Sequence, residues 1–235
     1  MNYKNNNEDR AWIDWIAQYS ELYDNLNYAT SLQSIVMGKG HKAIESAFDN
    51  TVKYESVLEI GAGTGEHIPY VRHEYDKYIL SDCNEIALSV AKKKLSNHTK
   101  GILYFEKQVG SQLSYKDNIF DRVIACHVLE HIYHPHIAIK EWCRVLKDNG
   151  VLSVIIPTDP GLAWRLGRRF GPRKKAIKKG IFYDYVMARE HVNSCINLQA
   201  ILRYYFPDAR EQWWPFSIPS TDLNLFYILH ATIKK

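Results

Sequence analysis

A doubly wound α/β fold is what this sequence predicts, and three observations predict it. Apolar runs near 55–60, 76–82, 101–106, 120–126 and 150–156 alternate with stretches of helical spacing, the rhythm of a parallel sheet built from strand–helix units. The first run ends in glycines on alternate positions, Gly61, Gly63 and Gly65, which is how such a sheet opens its first nucleotide-binding crevice. The last third carries a helical stretch over 192–205 and two strand-like runs near 211–216 and 224–232, which add an antiparallel edge. The expected fold is therefore a Rossmann-like, mostly parallel seven-stranded sheet with helices on both faces and an antiparallel C-terminal edge.

Composition bounds the organisation. A chain of 235 residues, 46% of them hydrophobic, can bury one sizeable core, and no Gly/Ser/Pro linker divides it, so a single domain is expected. Within it we distinguish a helical cap over 1–50, a cofactor-binding half over 55–157, a basic insert over 158–192 and a terminal helix and strands over 193–235. The first residues lack an apolar segment of signal-peptide length and no later stretch is long and apolar enough to cross a bilayer, which points to a cytoplasmic protein or one peripheral to a membrane. Cys83, Cys126, Cys143 and Cys195 lack CxxC spacing and read as reduced packing residues.

Taken in order, residues 8–28 place Trp12, Trp15, Ile16, Tyr19, Leu22, Tyr23 and Leu26 at helical spacing, and a second helix is expected over 32–48. The glycine turn follows the first strand. A dinucleotide fingerprint wants a third small residue at position 66, where a helix would present its N-terminus to a pyrophosphate, but that residue is Glu66. A second acid, Glu59, sits beside the turn, where it repels phosphate and attracts a cation. S-adenosylmethionine fits this better, because it carries an ammonium, a sulfonium and an adenosine but no phosphate. The second strand ends in Asp82, about 20 residues past the first glycine, where a carboxylate accepts from both ribose hydroxyls.

The motifs Val57-Leu58-Glu59-Ile60-Gly61-Ala62-Gly63-Thr64-Gly65-Glu66-His67 and Leu80-Ser81-Asp82, the run from Asn118 to His131 containing Phe120-Asp121-Arg122-Val123 and Val128-Leu129-Glu130-His131, and the run from Glu141 to Leu152 stand in one order. In that order they resemble the class I S-adenosylmethionine-dependent methyltransferases, small-molecule branch, including quinone-biosynthesis-like enzymes. The likeness extends from about Val57 to Pro157. It implies that Glu59, Gly61, Ala62, Gly63, Gly65, Asp82, Cys83, Ser111, Gln112, Leu113 and His127 hold the cofactor, leaving S-adenosylhomocysteine as product. It also implies N-terminal helices over the cofactor and substrate mouth, with Tyr19, Tyr23 or Tyr28 near a ligand. One departure is plain: the acid that the family often sets on adenine before Leu113 is missing from Gln108-Val109-Gly110-Ser111-Gln112.

The insert from Thr158 to Glu190 stands where the resembled family builds its substrate lid. Arg165, Arg168, Arg169, Arg173, Lys174, Lys175, Lys178 and Lys179 crowd together there, interleaved with Leu162, Trp164, Leu166, Phe170, Ile177, Ile181 and Phe182. A net charge of only +4 is thereby concentrated, and it suits an anionic lipid surface or an anionic acceptor; nucleic acid ranks below both, because no recognised binding module accompanies it. Arg165, Arg168, Arg169 and Tyr19 are the candidate substrate contacts.

His127, His131, His134 and His136 cluster after the fourth strand. His127-Val128-Leu129-Glu130-His131 also spells H-x-x-E-H, a zinc motif if it lies on one helix, but its context matches the methyltransferase pattern and no metal site is assigned. Methyl transfer from a sulfonium needs no acid on the leaving group, whereas a hydroxyl or protonated amine acceptor needs a base. His131, and His191 just after the insert, are the candidate bases. The sequence reads as a methyltransferase acting on oxygen or nitrogen of a small, anionic or lipid- or sugar-linked acceptor. Its rivals are a non-catalytic S-adenosylmethionine-binding module and a nicotinamide-dependent reductase.

Overall fold

The computed structural model describes residues 9–16 and 32–235. A seven-stranded sheet runs in the order β3-β2-β1-β4-β5-β7-β6, formed by β1 (Lys53–Ile60), β2 (Glu74–Asp82), β3 (Ile102–Lys107), β4 (Phe120–Cys126), β5 (Leu146–Pro157), β6 (Arg210–Trp214) and β7 (Phe226–Thr232). β1 to β5 pair in parallel, and β7 and then β6 add on antiparallel, which is the expected architecture. Strand order reverses between β1 and β4, and a sheet of this kind forms its ligand crevice beyond the carboxyl ends of the strands at that reversal.

The central strands are apolar on both faces because both faces are covered. Leu58, Val123 and Val154 point into one core with Ala138, Ile139 and Trp142 of α4 (Pro135–Val145) and Leu198 and Leu202 of α8 (Cys195–Tyr205). Val57, Ile124 and Ile155 point into the other with Met37 and Ile44 of α2 (Leu32–Glu45) and Leu88 of α3 (Glu85–Lys94). α3 is set locally: the Asn84 side chain accepts from the backbone N–H groups of Ile86 and Ala87, Glu85 stands in the first turn and Lys92, Lys93 and Lys94 in the last, all favourable to the helix dipole. Ser194 caps α8 in the same way.

Two local turns shape the site. No α-helix follows the glycine turn: β1 reaches β2 through a single 3-10 turn at Ile68–Tyr70, too short to offer a helix N-terminus. The face that such a helix would cover is taken by α2, which precedes the sheet in sequence; a Cβ on Gly40 would stand 2.8 Å from the Phe226 ring, so only glycine permits this approach. Likewise Leu129–His131 is one 3-10 turn, and His127 has φ +58, so H-x-x-E-H does not lie on one helix face.

The basic insert folds into three short helices, α5 (Leu162–Phe170), α6 (Pro172–Lys178) and α7 (Tyr183–Glu190). The helical segment over residues 10–16, α1, is fastened to α7: Trp15 packs on Val186 and donates from Nε1 to Glu190 at 2.9 Å, and Arg189 pairs with Asp9 while lying 4.1 Å from the centre of the Trp12 ring. Tyr19, Tyr23 and Tyr28 lie outside the described residues.

Candidate functional site

A cavity of about 1020 Å³ opens at the carboxyl ends of β1 and β4, at the sheet's reversal point. Its floor is the turn after β1. Gly61 and Gly63 adopt φ +68 and +52, in the left-handed region that favours glycine. A Cβ on Gly61 would lie 2.3 Å from Val128 Cγ2, whereas one on Gly63 would meet nothing within 4 Å, because Gly63 faces the cavity. The turn is held from the next strand: Asp82 Oδ2 accepts the Gly63 N–H at 2.9 Å and Oδ1 accepts the Asn84 N–H at 2.8 Å. Each carboxylate oxygen keeps lone-pair capacity for a ligand hydroxyl.

Glu59, 2% exposed, also lines the cavity and accepts from the Tyr78 hydroxyl at 2.9 Å. Burial raises its pKa above the ordinary carboxylate value, despite the opposing pull of His67 and of the Tyr78 bond. Glu66, Asp82 and Glu190 line the same space, and among the described residues no lysine or arginine does. The wall is thus acidic, which favours a cationic ligand and disfavours a pyrophosphate.

The far wall is the 108–111 loop. Trp142 Nε1 donates to the Gly110 carbonyl at 2.7 Å, and the Leu113 N–H donates to Glu141 at 2.8 Å, pinning the loop to α4. Gln108, Val109, Gly110 and Ser111 line the cavity; Gln112 and Leu113, both expected there, do not, Leu113 being turned into the core. Gly65 is also off the wall, since its Cβ position meets Leu95 at 2.8 Å. Ala62, Cys83 and His127 stand where the sequence places them, on the wall. The mouth is apolar: Ile16 of α1, Val90, Val109, Ile132, Tyr133 and Ile137 border it.

The two candidate bases separate. His131 lines the cavity; its Nδ1 donates to the Glu190 carbonyl at 2.7 Å and lies 3.3 Å from Glu190 Oε2, so Nε2 carries the free lone pair, 3.9 Å from Glu130 Oε1 and beyond hydrogen-bond reach of it. Burial works against a charged ring here, but the Glu190 hydrogen bond and the Glu130 charge outweigh it and raise the His131 pKa above its ordinary value. His191 is off the wall, its Nδ1 3.0 Å from Asp159 Oδ2, and burial lowers its pKa to about 4. Arg165, Arg168 and Arg169 are off the wall too. Arg168 turns inward to pair with Asp159 beside the Trp164 ring, because the apolar stripe of α5 faces outward and leaves Arg168 on the inner side.

Sequence reasoning missed His41, which α2 carries into the cavity wall, and His67, which follows the glycine turn by two residues. The second was visible within the motif itself; the first needed the placement of α2.

Comparison with known proteins agrees with this geometry. The family described as "Methyltransferase domain" matches residues 58–154. Two curated relatives, both named ubiquinone/menaquinone biosynthesis C-methyltransferase UbiE, are 32% identical over 108 residues (Francisella tularensis subsp. novicida; 44% of this chain, 43% of the relative) and 30% identical over 144 residues (Neisseria meningitidis; 58% of each). The chain thus spans about half the length of these relatives. A solved S-adenosylmethionine-dependent methyltransferase of Thermotoga maritima superposes with a TM-score of 0.59 at 19% identity, over 95% of this chain and 98% of that one, which is a likeness of fold.

Proposed function

We propose, on the premise that this chain belongs to the class I S-adenosylmethionine-dependent methyltransferases, that it moves a methyl group to oxygen or nitrogen of a small acceptor with an apolar body. The observation that carries the reading is the acidic, glycine-floored cavity at the sheet's reversal point, with no lysine or arginine on its wall among the described residues. Gly61 and Gly63 would admit the methionine part, Asp82 the ribose, and the 108–111 loop the adenine. Bound there, S-adenosylmethionine supplies an electrophilic methyl group on sulfur.

The chain's own part is placement and proton removal. The Ile16, Tyr133 and Ile137 rim excludes water and receives the acceptor's apolar part. His131 Nε2 takes the proton of the acceptor's O–H or N–H, and Glu190 holds the ring in the tautomer that leaves this nitrogen free. Transfer to carbon, the reaction in the printed names of the UbiE relatives, is the second reading. The same base serves it, since a deprotonated phenol is nucleophilic at ring carbon as well as oxygen.

The acceptor is lipid-linked or carried at an anionic surface in this reading. Leu162, Leu166 and Phe170 follow one another at four-residue intervals on α5 and remain exposed, with Ile177 and Phe182 exposed beyond them. Arg165, Arg169, Lys174, Lys175, Lys178 and Lys179 are exposed among them, the composition of a segment that lies in a charged interface. The test is homocysteine release with phenolic, amine and lipid-linked acceptors, with and without phosphatidylglycerol vesicles. Turnover stimulated by vesicles, and lost from that stimulation when Arg165, Arg169, Lys174 and Lys175 become Gln, supports the reading. Turnover indifferent to both removes the surface from it, and product mapping decides between oxygen, nitrogen and carbon.

A further inference from the structure

Three side chains that methyl transfer does not use meet on the cavity wall. His41 comes from α2, His67 from the turn after β1, and Cys126 is the last residue of β4. His41 Nδ1 and His67 Nδ1 are 3.0 Å apart, Cys126 Sγ is 3.6 Å from His67 Nδ1, and all three atoms lie within 4.8 Å of one another. Each of these residues is buried.

Protons alone satisfy this cluster poorly. Glu45 Oε1 lies 3.1 Å from His67 Nε2, so in the neutral ring that nitrogen carries the proton and Nδ1 is left with one in-plane lone pair. Two groups, the His41 ring and the Cys126 thiol, approach that single lone pair. If His41 donates from Nδ1, its own Nε2 becomes a buried acceptor, and that atom has no hydrogen-bond partner. If His41 carries its proton on Nε2 instead, two lone pairs face each other at 3.0 Å. One cation among the three atoms removes the crowding at the two Nδ1 atoms, because each of the three then presents a lone pair to it.

We propose that His41, His67 and Cys126 form a three-ligand site for a divalent zinc-like ion, with its fourth position open to the cavity. Two imidazoles and a thiolate suit zinc and exclude the oxygen-seeking magnesium and calcium. Zinc–nitrogen and zinc–sulfur bonds of about 2.0 and 2.3 Å at a tetrahedral angle set nitrogen and sulfur about 3.5 Å apart. The His67–Cys126 spacing of 3.6 Å is close to that. Two nitrogens on the same ion stand about 3.3 Å apart, so the His41 ring moves outward by a few tenths of an ångström. Glu45 behind His67 supplies the carboxylate that orients a metal-bound histidine, and Arg122, paired to Glu45 at 2.7 Å, holds that carboxylate in turn. Three protein ligands and one open position are the composition of a catalytic rather than a structural zinc site, so the fourth place takes water or a ligand thiolate or alkoxide.

The site is tested on the full chain, stripped with a chelator and titrated with cobalt(II) and zinc(II) alone. We expect one equivalent of cobalt, visible bands of tetrahedral intensity and a thiolate-to-cobalt charge-transfer band, all displaced by zinc. Cys126→Ser removes the charge-transfer band, and His41→Ala, which leaves the Glu45–Arg122 pair intact, weakens zinc binding by more than tenfold. Circular dichroism confirms that each variant is folded. No charge-transfer band in the wild type, or the same band in folded Cys126→Ser, overturns the proposal, as does unchanged zinc affinity in folded His41→Ala.

Discussion

Gly61 and Gly63 are two residues apart in one turn, yet a methyl group added at each should do different damage. Both have positive φ, so alanine at either carries a backbone cost of about 1–2 kcal/mol, partly offset by about 0.4–1 kcal/mol from a stiffer unfolded chain. At Gly63 that is nearly the whole stability effect, since its Cβ meets no atom within 4 Å. At Gly61 the new Cβ lies 2.3 Å from Val128 Cγ2, and a β-branched neighbour yields little, which adds an overpacking cost of about 1–3 kcal/mol. At about 2–4 °C per kcal/mol for a chain of this size, Gly63→Ala should lower Tm by roughly 0–6 °C and Gly61→Ala by roughly 2–18 °C. Affinity should run the other way: Gly63→Ala puts a methyl group into the cavity where the methionine part would lie and should abolish detectable S-adenosylmethionine binding at temperatures where the protein remains folded. Val128→Ala placed behind Gly61→Ala should recover part of the lost stability. Thermal unfolding of Gly61→Ala, Gly63→Ala, Val128→Ala and the Gly61→Ala/Val128→Ala double, with calorimetry of the cofactor, measures all of this. Equal Tm losses, no coupling between positions 61 and 128, or wild-type affinity in Gly63→Ala would refute the geometry.

The remaining predictions concern the groups around that turn. Asp82→Ala should weaken the cofactor by about 1.5–3 kcal/mol, the scale of hydrogen bonds to a charged group, or roughly ten- to 150-fold in Kd by calorimetry; unchanged affinity would remove Asp82 from the ribose site. Glu45→Ala strands the fully buried Arg122 guanidinium and should cost about 3–5 kcal/mol in denaturant unfolding, and a loss under 1 kcal/mol would contradict that pairing. His131 has a raised pKa and works as a base only when neutral, so kcat/KM should rise with pH through a value above the ordinary histidine range. Glu190→Gln weakens the hydrogen bond and removes one of the charges that raise it, and should move that rise to lower pH; a profile that does not shift would dismiss His131 as the base.

The sheet was legible because its signals are local. The central strands β1, β4 and β5 carry apolar runs, the turn after β1 is spelled by its glycines, and Asp82 follows at the spacing a ribose-binding acid keeps. What local pattern could not report is which element covers which face. After Gly65, Pro69 follows closely and only one 3-10 turn forms, so α2 fills the space from the other side of the sequence. His41 therefore reaches the cavity from a helix whose own pattern says nothing of a site. The H-x-x-E-H spelling, set aside as a zinc motif on its context, has helical residue spacing, while the positive φ of His127 breaks the helix before it starts. Arg168 and His191 were grouped with residues of the same type around them, and only the packed insert distinguishes the inward-facing Arg168–Asp159–His191 cluster from the exposed lysines and arginines.

Isothermal titration calorimetry of the purified full chain with S-adenosylmethionine and, separately, S-adenosylhomocysteine tests the central claim most directly. A glycine-floored, acidic cavity with Asp82 at its edge predicts saturable one-to-one binding of both, and no binding of NADH in the same cell. Binding of NADH, or heats of dilution alone with both cofactor forms, would contradict it.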